Sequence, residues 1–303
     1  MNQFVSTLSG VHSIQRYQSG TVKSCMLSEE NKISTCCGDL VPRFTGGEAR
    51  QKFTGALTFY ESGEIKRISL ENQTIIATPL GLYPAELLTF YKSGALYRFF
   101  PLNGKLSGYW TEQDESALLV PLEIKLSSGS FTAKIIGCSF YENGSLRSVT
   151  LWPGQQITLK AWNIEYSVRI GFSLYENGQV KSLEPGKPVL VKTPIGEMIA
   201  YDDSALGIHA DTNSLCFDDQ GDIIALTTSS HQVRITNLEG ESLLIAPLKM
   251  PHPLTDDQFI TLPVKVIFTK DLVSLFSGTC EQQFSLSESR FELLPHSIEN
   301  EKL

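Results

Sequence analysis

The sequence predicts an all-β chain of tandem β-hairpins, laid out as an elongated, twisted antiparallel sheet or stack with one short helix near 112–119. Three observations predict it. A Tyr-x-x-Gly segment recurs at Tyr17–Gly20, Tyr60–Gly63, Tyr91–Gly94, Tyr141–Gly144 and Tyr175–Gly178, with a degraded sixth copy at Phe217–Gly221. A second turn recurs between them at Thr35–Gly38, Thr78–Gly81 and Thr193–Gly196. The glycine spacings also repeat: Gly20 to Gly38 is 18 residues and Gly38 to Gly63 is 25, and the same two intervals separate Gly178, Gly196 and Gly221. A fixed internal period decides architecture before other signals do. A β-propeller is the alternative, since about seven 43-residue units would fill the chain. The irregular middle spacings and the lack of a recurring blade dipeptide argue against it.

Each Tyr-x-x-Gly segment reads as a hairpin tip. Glycine adopts a left-handed backbone at no steric cost, and Asn or Ser before it suits a tight turn. A type I turn with glycine in the bulge position pairs the residue four before the glycine with the one two after it. The pairs are Phe59–Ile65, Phe90–Leu96, Phe140–Leu146, Leu174–Val180 and Phe217–Ile223, all apolar on both sides. The first copy gives Arg16–Val22 instead, as a terminal capping repeat does. In the second turn type, Thr-Pro-x-Gly, proline presets φ and glycine follows.

The middle departs from this pattern. Leu102–Trp110 contains an extra turn, and Thr111 followed by Asp114 is a helix start that Pro121 ends. After residue 245 the repeat fades. Met250-Pro251-His252-Pro253 reads as a loop, 264–268, 272–276 and 284–294 as strands that close the array, and 299–303 as a disordered tail. The expected division is a hairpin array over 1–249, with an irregular insertion at 100–121, and a β cap with a short tail over 250–303.

The chain has 303 residues, 41% of them hydrophobic and 19% charged, the balance of a globular protein. Its net charge of −8 argues against a general nucleic-acid or anionic-membrane binder. Residues 1–10 lack the basic and apolar regions of an export signal, no stretch is apolar enough to span a membrane, and the six cysteines form no C-x-x-C. The expected location is the cytoplasm with reduced thiols.

The Tyr-x-Asn-Gly-x-Leu hairpin, and above all Asn103-Gly104-Lys105-Leu106-Ser107-Gly108-Tyr109-Trp110, resembles MORN-type repeats in their bacterial antitoxin-like variant. The resemblance covers about 11–245. It implies stacked antiparallel hairpins and a binding or scaffolding role, with no catalytic residues.

The expected function is therefore a non-enzymatic protein-interaction module whose partner is another protein, with no cofactor, metal or nucleic acid. The expected binding residues are Tyr109, Trp110, Glu112 and Asp114, because an insertion in a regular array is where specialised chemistry is tolerated. The alternative is an enzyme acting on a carbohydrate or small metabolite through these acids. Packing accounts for the recurrent tyrosines, with their hydroxyls reaching solvent at the sheet margin. Lys23, Lys66, Arg67, Arg147 and Lys181 form a stripe on one face, balanced by Glu61, Glu64, Glu142 and Glu176. Asp202, Asp203, His209 and Asp211 fit no known ligand loop. Asp218, Asp219 and Asp222 read as a turn, and Cys36-Cys37 is a vicinal pair in a turn.

Overall fold

Glycine at a hairpin tip and an apolar residue on every second strand position dictate what the computed structural model shows. It describes residues 4–45, 50, 55–107, 109–205, 213–251 and 259–296. Nearly all of its regular structure is antiparallel strand, with one α-helix, Glu112–Leu118, among the described residues. The chain divides into two compact units, 1–155 with 176–178, and 156–175 with 179–303.

The predicted tips form. Gly20, Gly63, Gly94, Gly144, Gly178 and Gly221 have φ of 83°, 108°, 84°, 87°, 83° and 93°. The register pairs are those expected, from Arg16–Val22 to Phe217–Ile223.

In the first unit, eight main-sheet strands lie side by side in chain order: Val11–Arg16, Val22–Leu27, Leu57–Phe59, Ile65–Thr78, Gly81–Phe90, Leu96–Phe100, Ile135–Phe140 and Leu146–Leu151. Hairpins that pair edge to edge in one sheet are not propeller blades. One row of cross-strand partners runs Cys25, Leu57, Ile68, Leu88, Phe99, Cys138, Val149, and each of these is 0% exposed. The second unit repeats the design from Ile164–Leu174 through Cys280–Ser285, with a buried row Phe172, Leu183, Leu215, Leu226, Val266, Leu275.

The second turn type closes a smaller hairpin after a main one. Thr35, Thr78 and Thr193 each receive their own loop amide on Oγ1 and donate that hydroxyl to the glycine carbonyl three residues on. These side hairpins cover the apolar face of the sheet: Tyr83, in the arm that turns at Thr78–Gly81, stacks on Phe99 of the buried row at 5.6 Å. Two further side hairpins escape the sequence pattern. One turns at Leu126–Gly129; the other turns at Trp162-Asn163, with φ of 50° and 66° and no glycine.

Three of the side turns also prop a main tip two repeats on. Cys36 Sγ lies 3.2 Å from the Gly94 carbonyl, Pro79 packs beneath Gly144, and the Trp162 ring packs against Gly221.

The repeated tyrosines are clamps, and here the expectation of solvent-facing hydroxyls is corrected. Tyr17 donates its hydroxyl to the Phe59 carbonyl at 2.9 Å, Tyr60 to Phe90 at 2.8 Å, Tyr91 to Phe140 at 3.0 Å and Tyr175 to Phe217 at 2.7 Å. Every acceptor sits four residues before the next tip glycine, so each ring ties its hairpin to the following one. Tyr60→Phe should cost about 1 kcal/mol, the net worth of such a bond, in chemical denaturation. An unchanged midpoint would mean the clamp contributes nothing.

Beyond residue 245 the strands Val264–Phe268 and Leu272–Ser277 form as expected. The strand expected over 284–294 is a correction: a turn at 286–288 divides it into Cys280–Ser285, which pairs Leu272–Ser277, and Arg290–Pro295, which pairs His231–Thr236 in a separate three-stranded sheet. Met250 and Pro251 are a correction. They belong to the strand Leu248–Pro251, which pairs Phe259–Leu262 in a two-stranded sheet; proline is tolerated because this is an edge strand, and His252 and Pro253 lie outside the described residues. Residues 299–303 lie outside the described residues.

Candidate binding face

On the face of the first-unit sheet opposite the apolar row, the partners run Ser24, Thr58, Arg67, Thr89, Arg98, Ser139, Ser148. One residue's offset along each strand turns the side chains to the other side. This row is polar and carries the bases.

A β-bulge in every main hairpin adds a second line of side chains. Phe59 pairs Ile65 and Thr58 pairs Arg67, so Lys66 has no partner. The same skip falls on Lys23, Tyr97, Arg147 and Lys181. A bulge re-aims the extra side chain and recurs by design. Here it lays the base over the tyrosine six residues earlier in its own hairpin. Lys23 Nζ is 5.8 Å from the Tyr17 ring centre, Lys66 is 5.4 Å from Tyr60, the Arg147 guanidinium is 5.8 Å from Tyr141, and Lys181 is 5.6 Å from Tyr175. Cations at these distances are attracted by the ring quadrupole. In the third copy the base is replaced by Tyr97, which packs edge-on against Tyr91 at 5.0 Å and lies beneath Arg98 and Arg147. Lys92 reaches over Tyr60 as well, at 5.7 Å.

Tyr17, Lys23, Tyr60, Lys66 and Tyr97 of this band, together with Arg67, line a groove of about 670 Å³ on the first unit. Burial, and then the nearby Arg43, push the Arg67 guanidinium below its ordinary pKa. A cation held at that disadvantage gains from an anion placed beside it. Glu61, Glu64 and Glu142 stand exposed at the hairpin tips around it.

The insertion is arranged differently. Thr111 and Asp114 form a capping box: the Asp114 amide donates to Thr111 Oγ1 at 3.2 Å, and the Thr111 amide donates to Asp114 Oδ2 at 2.8 Å. Glu112 is exposed, Tyr109 is 92% exposed, and Trp110 is half-buried. Of the four expected binding residues, Tyr109 and Glu112 point outward, Asp114 is engaged in the cap, and the Trp110 indole N–H donates to Glu115 Oε2 at 2.5 Å. The buried acid here is Glu115. It also accepts Arg50 Nε at 2.7 Å, Arg50 Nη2 at 2.8 Å and the Gly104 amide at 2.9 Å. Arg50 in turn grips Glu86 through both terminal nitrogens at 3.0 and 2.9 Å. Sequence reading missed this cluster, whose members lie 36 and 65 residues apart.

In the second unit a cavity of about 420 Å³ is lined by Lys181, Glu184, Asp202, Asn213 and Lys265, among others. Burial pushes the Glu184 and Asp202 carboxyls above the usual carboxylate range. Glu184 accepts the Ser214 amide at 2.8 Å and lies 3.5 Å from Arg169. Asp203 is bonded to Ser229 and Ser204, while His209 and Asp211 lie outside the described residues. Asp218 Oδ1 accepts the amides of Gln220 and Asp222, the turn that was expected.

No group of three or more His, Cys, Asp or Glu able to hold a metal ion occurs among the described residues, and none of their helices is long and apolar enough to cross a membrane. No protein-family model matches the chain, and neither a curated protein nor a solved structure matches it.

Proposed function

We propose that this chain is a non-enzymatic protein-interaction module, and that the polar face of its first-unit sheet receives an acidic, extended segment of another protein. The observation that carries this reading is the bulge in the first two main hairpins, which sets Lys23 over Tyr17 and Lys66 over Tyr60 on the groove that Arg67 also lines. The tyrosine hydroxyls are engaged in clamping the next hairpin, so the cations and ring edges are what the face offers. Rings already capped by cations are poor platforms for stacking bases and good neighbours for carboxylates. The hairpin-repeat resemblance points to the same class of role.

A fluorescein-labelled peptide of alternating Glu and Gly, titrated with the protein and read by anisotropy, tests this. Binding should weaken as salt rises, because exposed charge pairs are screened. The double substitution Lys23→Glu, Lys66→Glu should lower affinity by about tenfold or more in protein whose melting curve shows it still folded, with at most a small loss of stability from the two ring contacts. Equal affinity in the double variant overturns the assignment of the face. Tighter binding of an oligothymidylate than of the peptide overturns the choice of partner.

A further inference from the structure

Cys36 and Cys37 are adjacent in sequence, and Cys36 supports the Gly94 tip from a position where the other threonine turns use proline. In the other threonine turns its position holds Pro79 or Pro194, and the next position holds a half-buried or buried Leu80 or Ile195. Cys37, 3% exposed, fills that apolar role; Cys36 is exposed. The turn nonetheless brings the two sulfurs to 3.7 Å from one another. Two bonds of about 2.3 Å to a common atom would span that separation with an angle of roughly 110°, close to tetrahedral. A direct disulfide is less favoured here. Adjacent Cα atoms lie about 3.8 Å apart, below the range of about 4.4–6.8 Å in which disulfides are found.

The pair opens into a cavity of about 290 Å³ lined by the apolar Ala77, Pro79, Ala95 and Leu96 and by the polar Thr78, Glu142 and Asn143. The Cys36 thiol is lowered to about 6, chiefly by the hydrogen bond from Cys37, helped by the Leu96 amide and opposed by burial. Cys37 is pushed up by the same bond and by burial. Of the two, Cys36 is the more exposed and the more readily ionised thiol, so it attacks first, since nucleophilicity belongs to the thiolate. Cys25 and Cys138 are buried, with their thiols pushed up.

We infer that Cys36 and Cys37 form a dithiol site for a sulfur-bridging, trivalent thiophile that brings its own third substituent, the class of monosubstituted arsenicals. Soft thiolates select soft acceptors. No third His, Cys, Asp or Glu among the described residues completes a metal shell around the pair, so a ligand needing only two protein bonds fits better than a bare ion. The apolar wall receives its organic group. With an arylarsine oxide the step balances without redox change. Cys36 sulfur attacks arsenic, Cys37 follows, both thiol protons leave with the oxide oxygen as one water, and arsenic remains trivalent.

The test uses phenylarsine oxide on the reduced, full-length protein, followed by an excess of a monothiol and intact-mass spectrometry. The expected result is one phenylarsenic group replacing two hydrogens, stable to the monothiol and removed by a 1,2-dithiol. In Cys36→Ser, whose side chain is exposed, the monothiol-stable adduct should disappear; in Cys37→Ala it should disappear as well. A stable adduct persisting in either variant, or no stable adduct in the parent protein, overturns the site. Neither result bears on the acidic-peptide groove, whose anisotropy assay needs no thiol.

Discussion

Gly221→Val is expected to destabilise the protein by about 3 kcal/mol or more, from two separate costs. At φ +93° a β-branched residue is strained by about 1–3 kcal/mol. A Cβ there would also stand 2.5 Å from Trp162 Cδ2 and 2.6 Å from Cε3, closer than real atoms approach. The indole is not free to yield, because its N–H is bonded to the Val180 carbonyl at 3.0 Å. Overpacking of this kind costs about 1–3 kcal/mol. Gly20 separates the two terms: its φ is +83°, yet a Cβ there meets nothing within 4 Å. Gly20→Ala should therefore show the backbone cost alone, and Gly221→Ala should exceed it by about 1 kcal/mol or more in urea denaturation. Equal losses in the two variants would remove Trp162 as the support beneath that tip.

Hairpin tips were legible in the chain because glycine and the apolar pair flanking it are local signals, within six residues of each other. Main-sheet register followed from them. The base after each aliphatic residue was legible as a stripe, but not the bulge that aims it over the tyrosine, since a skipped partner leaves no mark in composition. The Trp162-Asn163 turn escaped because its left-handed residues are not glycines. The tyrosine clamps were misread as solvent-facing: a hydroxyl that reaches a carbonyl 30 to 49 residues away cannot be told from a wet one by spacing. The insertion showed its cap, Thr111 with Asp114, which is local. Its anchor, Glu115 on Arg50 and Glu86, joins three distant segments and stayed hidden.

That anchor sets the second large effect. Glu115→Ala should destabilise the fold by about 3 kcal/mol, the lower end of what losing one member of a buried ion pair costs. The lower end applies because Arg50 keeps its two bonds to Glu86, so its charge is not orphaned. The Gly104 amide and the Trp110 indole N–H each lose their acceptor, and a buried donor left unmatched adds its own penalty. Gly104 has no room for another residue while Glu115 is present, since a Cβ would lie 2.2 Å from the carboxylate oxygens. Glu112→Ala is the matched control: it removes an exposed acid three residues earlier on the same helix and should leave stability unchanged. Urea unfolding of both variants decides the matter. If Glu115→Ala unfolds at the same midpoint as Glu112→Ala, the ion cluster does not hold the insertion. If instead it unfolds early while the acidic-peptide affinity of its folded form is retained, the insertion stabilises the first unit without forming part of the groove.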